Sequence, residues 1–279
     1  MQSLFSEHVL YGVDFSGAVK AGNHLWISCG KIEKDVLRIV STTQGKNLPA
    51  SGLSREKCLI ALRKFISLNP GVYGLDFPFA VHPSQMFGCA NWLDFAKRFS
   101  IKFTSPEDFR NYCRSLSAKP ELKRNCDVLS EAPFAPYNLW IYRQTYYGIT
   151  EVLMPLAITG KAVILPMMPF HSHKANLLET CPASFLKRHG LYQPYKEKKG
   201  DPKAGKRARR QREGILEYLE VQDVLISEKE TREQILADRY GDAIDSLIAT
   251  CILFELFKKP ERLQASLAEE FSLAGYVYF

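Results

Sequence analysis

Four aspartates stand where an apolar segment has no use for a charge. Asp14 closes the run Val9-Leu10-Tyr11-Gly12-Val13, Asp76 closes Val72-Tyr73-Gly74-Leu75, and Asp242 and Asp245 open an apolar stretch with helical character. An ionised carboxylate is costly to bury unless it is paired, hydrogen-bonded or bound to a cation. Several brought together suit Mg²⁺ or Mn²⁺, hard ions that take carboxylate oxygens and keep positions open for water and phosphate. Two such ions about 4 Å apart clamp the attacking and leaving oxygens of a phosphodiester displacement. The chemistry these residue types point to is therefore two-metal nuclease chemistry. Singly, each aspartate also has a local explanation: Asp242 after Gly241 as a helix cap, Asp14 before Ser16-Gly17 as the start of an Asx turn.

The elements that must position these groups can be read from apolar periodicity. Residues 8–14, 24–31 and 35–42 read as three consecutive strands of a meander. Residues 54–68 carry an apolar stripe at helical spacing, with Ser54 as N-cap and Glu56 in the first turn; Asn69-Pro70-Gly71 stops it. Residues 72–75 lack alternation, as a parallel strand covered on both faces does. If it lies parallel and next to the first strand, Asp14 and Asp76 sit side by side at carboxyl ends, where open α/β sheets bind ligands. Asp242 and Asp245, three apart, share a helix face.

Further along, 90–98 and 106–115 read as short helices inside an insertion of about 80–143, before a turn-rich stretch at Glu131-Ala132-Pro133. Residues 144–157 read as helix, 162–166 and 176–179 as strands whose relative centrality stays open, and a helix starts near Pro182. Helices at 207–220 and 240–257 and an apolar terminal strand at 275–279 complete the reading. The expectation is one α/β domain: a mixed five-stranded sheet, helices on both faces, and inserted segments at about 80–143 and 192–235.

Bulk composition narrows the class. The chain has 279 residues, 46% of them hydrophobic, enough for a large core and unlike a disordered or fibrous sequence. No stretch approaches the roughly 18 consecutive apolar residues of a membrane span, and the start lacks a secretory leader pattern; cytoplasmic residence without a membrane partner is the expectation. Seven cysteines form no CxxC pair and read as reduced, mostly buried thiols, and His171 and His173 read as loop or strand residues rather than a metal clip. Oligomeric state leaves no mark.

Charge is concentrated. Net charge is +7, and the segment 196–212 alone carries nine Lys or Arg against Glu197 and Asp201, leaving the remainder balanced. Such a segment marks an anion-binding surface, here for a nucleic-acid backbone, with Tyr192 and Tyr195 beside it available for stacking on bases. A solvated helix face is the plainer alternative. Lys196 and Arg143 are candidates to hold the scissile phosphate. With Ser16, Lys206, Arg207, Arg209 and Arg210 they make the candidate substrate contacts.

Gly12-Val13-Asp14-Phe15-Ser16-Gly17, Gly74-Leu75-Asp76-Phe77-Pro78-Phe79, Leu178-Glu179-Thr180-Cys181-Pro182 and Gly241-Asp242-Ala243-Ile244-Asp245 resemble, in order and spacing, the signature segments of the predicted RNase H-like nuclease family, a domain-of-unknown-function family. The resemblance covers most of the chain and includes Arg143-Gln144-Thr145. The stretch 242–247 is also similar to the closing acidic helix of RuvC-type resolvases, whose fold is RNase H-like and whose site uses Mg²⁺. The resemblance implies Asp14, Asp76, Asp242 and Asp245 as metal ligands, with Asp76 a shorter reach than the glutamate of the resolvases. Glu179, without a clear resolvase counterpart, is implied as a further ligand or general base among the catalytic residues. Two alternatives stay open: a nucleic-acid-binding module without catalysis, and an actin- or sugar-kinase-like ATP-binding protein, for which no second glycine-rich phosphate loop is evident.

Overall fold

The structure, a computed structural model, describes residues 9–117, 121–197 and 204–279. Among the described residues, eight strands form one mixed sheet: β1 (Leu10–Asp14), β2 (Trp26–Glu33), β3 (Val36–Gln44), β4 (Val72–Asp76), β5 (Ala162–Leu165), β6 (Ala175–Thr180), β7 (Val224–Ile226) and β8 (Val277–Tyr278). The order is β5-β6-β4-β1-β2-β3-β7, with β8 also on β6. β1, β2 and β3 pair antiparallel, as short connections require. β4 lies parallel to β1, and β6 parallel to β4, so the 176–179 strand is the central one and 162–166 lies outside it.

The expected count of five strands is corrected to eight. The three-residue β7 lies in the segment 192–235 and joins parallel to β3, and β5 and β8 both extend the sheet past β6. Val224-Leu225-Ile226 is too short to show a period, which is why the sequence reading passes over it.

The helices are α1 (Arg55–Leu68), α2 (Trp92–Lys102), α3 (Pro106–Leu116), α4 (Asn125–Leu129), α5 (Tyr142–Gly148), α6 (Met154–Ile158), α7 (Pro182–Arg188), α8 (Ala204–Val221), α9 (Lys229–Ala237), α10 (Asp242–Lys258) and α11 (Glu261–Ala265). A π-turn over Ile149–Leu153 joins α5 to α6, so 142–158 runs as one helical segment. Ser54 caps α1 as its sequence implies, its hydroxyl accepting from the Lys57 amide at 3.4 Å.

Period-2 alternation explains the two cores. Tyr11 and Val13 of β1 and Tyr73 and Leu75 of β4 pack into one apolar cluster with α1 and α2; Leu10 and Val72 pack into the other with α7 to α10. Helices therefore cover both faces. α10 is buried along almost its whole length and lies across β1, β2 and β4. Among the described residues no helix is long and apolar enough to cross a membrane. All seven cysteines are free thiols, five of them buried.

Candidate metal centre

Register brings the first two aspartates together. Parallel pairing sets Asp14 opposite Asp76 at the carboxyl ends of β1 and β4. The third comes from the first turn of α10, and its approach depends on glycine: a Cβ at Gly12 would collide with the Ser246 carbonyl oxygen, and one at Gly74 would sit 3.1 Å from the Ala249 carbonyl oxygen. Without side chains there, α10 presses its backbone onto β1 and β4. Ser246 Oγ to Ser28 Oγ at 2.7 Å fixes the helix on β2. One carboxylate oxygen from each of Asp14, Asp76 and Asp245 then lies within 4.8 Å of the others.

Asp14 and Asp245 are buried and Asp76 is partly so. Burial, joined by the charges of Asp242, Asp245 and Asp76, pushes the Asp14 carboxyl well above the usual carboxylate range, with Lys196 opposing. Burial and the Asp245 and Glu179 charges raise Asp76 to about 8, again against Lys196. These are groups held together against their own repulsion.

Asp242 stands one side chain away. Gly241, at φ 76°, is the N-cap, so Asp242 is the first helical residue and not the cap that its position after Gly241 allowed. Its Oδ2 lies 3.0 Å from His24 Nδ1. That bond raises the His24 pKa, and burial opposes the rise.

Lys196 and Tyr195 meet the cluster from the segment before α8. Lys196 Nζ lies 2.6 Å from Asp245 Oδ2, and the Tyr195 hydroxyl donates to Asp245 Oδ1 at 2.7 Å. Burial pulls the Lys196 ammonium down, but Asp245, Tyr195, Asp14 and Asp242 outweigh it and hold it well above its ordinary pKa. Tyr195 is buried, so stacking on bases falls to Tyr192, which is half exposed.

Glu179 is placed differently. Arg124 grips it with Nη1 to Oε2 at 2.8 Å and Nη2 to Oε1, and the Phe79 amide donates to Oε2 at 2.8 Å. Arg124 also holds Asp127, Nε to Oδ2 at 3.0 Å and Nη2 to Oδ1 at 2.6 Å. All three side chains are buried, and Glu179, with both oxygens bonded, lines the same cavity but lies outside the three-aspartate cluster.

The expected substrate contacts divide. Ser16 lines the cavity above Asp14, its Oγ accepting from the Ala18 amide at 3.3 Å. Arg143 pairs with Glu107 at 2.7 Å, away from the cavity lining, while its neighbour Gln144 lines it. On α8, Lys206, Arg207 and Arg210 are exposed, and Arg209 pairs with Glu213 and Glu233. Arg212 is buried, donating to the Leu236 and Tyr195 carbonyls, and so leaves the basic surface. Lys198, Lys199 and Lys203 lie outside the described residues.

Sequence reading passed over His24 and Arg124. The β1–β2 connection must lie at the Asp14 end of the sheet, a signal that could have found His24. Arg124 meets Glu179 across 55 positions and left no local sign.

The donor set fits a hard divalent cation: three carboxylates, no sulfur, in a cavity of about 790 Å³ with room for water and substrate. Acidic side chains outnumber Lys196 and His24, the cationic residues of its described lining. Among the described residues, no other group of three or more His, Cys, Asp or Glu side chains could hold a metal ion. Comparison with protein-family models, curated proteins and solved structures gives no match to this chain.

Proposed function

We propose that the chain is a divalent-metal-dependent nuclease of RNase H-like fold, hydrolysing phosphodiester bonds of DNA or RNA. The observation that carries this reading is the convergence of Asp14, Asp76 and Asp245 from two parallel strand ends and a helix start. The order β3-β2-β1-β4-β6 supports the fold assignment, an antiparallel meander continued by parallel strands. Asp14, Asp76 and Asp245, with Asp242 beside them, would hold Mg²⁺ or Mn²⁺, which would supply Lewis-acid polarisation of a phosphoryl oxygen and lower the pKa of water there.

The chain's own groups take the remaining roles. A cavity lined by this many carboxylates repels a phosphodiester, so substrate entry and cation binding are linked. Lys196 balances Asp245 and presents a cation beside the site of phosphate entry. Tyr195 fixes the rotamer of Asp245 by its hydrogen bond. His24 lines the cavity with Nδ1 3.0 Å from Asp242 Oδ2, a bond that raises its pKa and places an imidazole beside the carboxylates.

Labelled DNA and RNA oligonucleotides incubated with Mn²⁺, Mg²⁺ or EDTA test the proposal. Cleavage with metal, lost in EDTA and in Asp14→Asn and Asp76→Asn, is the expected result; cleavage that survives both substitutions overturns it. One observation favours a binding module without catalysis: Lys196 already neutralises Asp245. Salt-sensitive binding without turnover in the same assay would select that reading.

A further inference from the structure

We infer that the site accepts unpaired nucleotides and excludes an intact duplex; this inference rests on the nuclease reading. The aspartates line a cavity of about 790 Å³, within the roughly 300–1,000 Å³ of pockets that take one small ligand. A double helix offers its phosphates on a broad, stiff surface. To bring one within reach of side chains as buried as Asp14 and Asp245, it would have to enter the cavity bodily.

The lining points the same way. Segments 132–134 and 192–197, from the two stretches read as insertions, reach the same cavity as the strand ends. They bring Pro133, Phe134 and Tyr192, which with Phe77, Pro78 and Ile141 give apolar and aromatic surface beside the carboxylates. Such surface suits the face of a base that has left its stack; it does nothing for a base still paired inside a helix. Tyr192 is half exposed, so its ring is open to a nucleotide. Arg212 ties α8 to the Tyr195 carbonyl at 2.6 Å, and the exposed Lys206 and Arg210 on the preceding turns offer cations to the strand leaving the pocket.

The test compares Mn²⁺-dependent cleavage of one labelled sequence as a single strand, as a perfect duplex and as a duplex with a central unpaired bulge, in DNA and RNA forms. The single strand and the bulge are expected to be cut at unpaired positions about tenfold or more faster than the duplex, because a paired base must first be extruded from the helix. Tyr192→Ala is expected to raise KM for the single strand roughly tenfold, the size of one base stack, with kcat kept, and Tyr192→Phe to restore it. A perfect duplex cut internally as fast as the single strand overturns the inference and leaves the nuclease reading standing. No metal-dependent cleavage of any form removes both.

Discussion

Replacing Asp14 by asparagine should make the metal-free protein more stable. Two carboxylates whose oxygens lie 4.8 Å apart, the limit of the cluster, repel by about 3.5 kcal/mol at an effective dielectric constant of about 20. Proton uptake by the raised carboxyls and the Lys196 ammonium relieve part of this. The neutral amide should therefore recover about 2 kcal/mol, which for a chain of this size raises Tm by about 4–8 °C. Wild type should gain stability from Mn²⁺ instead, about 2.7 kcal/mol at a hundredfold excess over Kd, or about 5–11 °C. The assay is thermal unfolding of both proteins at pH 8 in EDTA and in Mn²⁺. Opposite rank orders in the two conditions are expected. A variant that melts below wild type in EDTA, or gains as much from Mn²⁺, refutes the reasoning.

Four further outcomes follow from the same geometry. In EDTA, stability should fall as pH rises towards 8: folded Asp76 keeps its proton to about pH 8, whereas the unfolded chain loses it near 4, so the folded state binds more protons across that window; melting curves from pH 5 to 9 check this, and Mn²⁺ should flatten the trend. Arg124→Met leaves Glu179 and Asp127 buried without their cation and should cost about 3–5 kcal/mol in thermal unfolding, while Glu179→Gln should keep the Mn²⁺ shift because that carboxylate is outside the cluster. Gly12→Ala pushes α10 off β1 and should abolish the Mn²⁺ shift even where circular dichroism shows a folded chain.

What the sequence disclosed follows from what local patterns encode. Asp14 and Asp76 end apolar runs, and runs of that kind announce strands, so their meeting needed only the parallel pairing that the structure supplies. Asp242 and Asp245 sit at the start of the most apolar helix, which sets their direction. Charge counting could not distinguish Arg212, buried and bound to carbonyls, from the exposed Arg210 two positions away, because burial on a helix depends on partners from elsewhere in the chain. Tyr195 and Glu179 show the same limit: one turned inward to hold Asp245, the other was taken by an arginine that no spacing rule connects to it. The three-residue β7 was too short to carry a period.

Asp14, Asp76 and Asp245 are expected to hold a divalent cation between them. Anomalous diffraction from crystals grown with Mn²⁺ at pH 8 measures this directly. A manganese peak in contact with all three carboxylates is expected, with Lys196 Nζ moved off Asp245. Crystals at saturating Mn²⁺ with no peak there, and the ammonium still on Asp245, would contradict it.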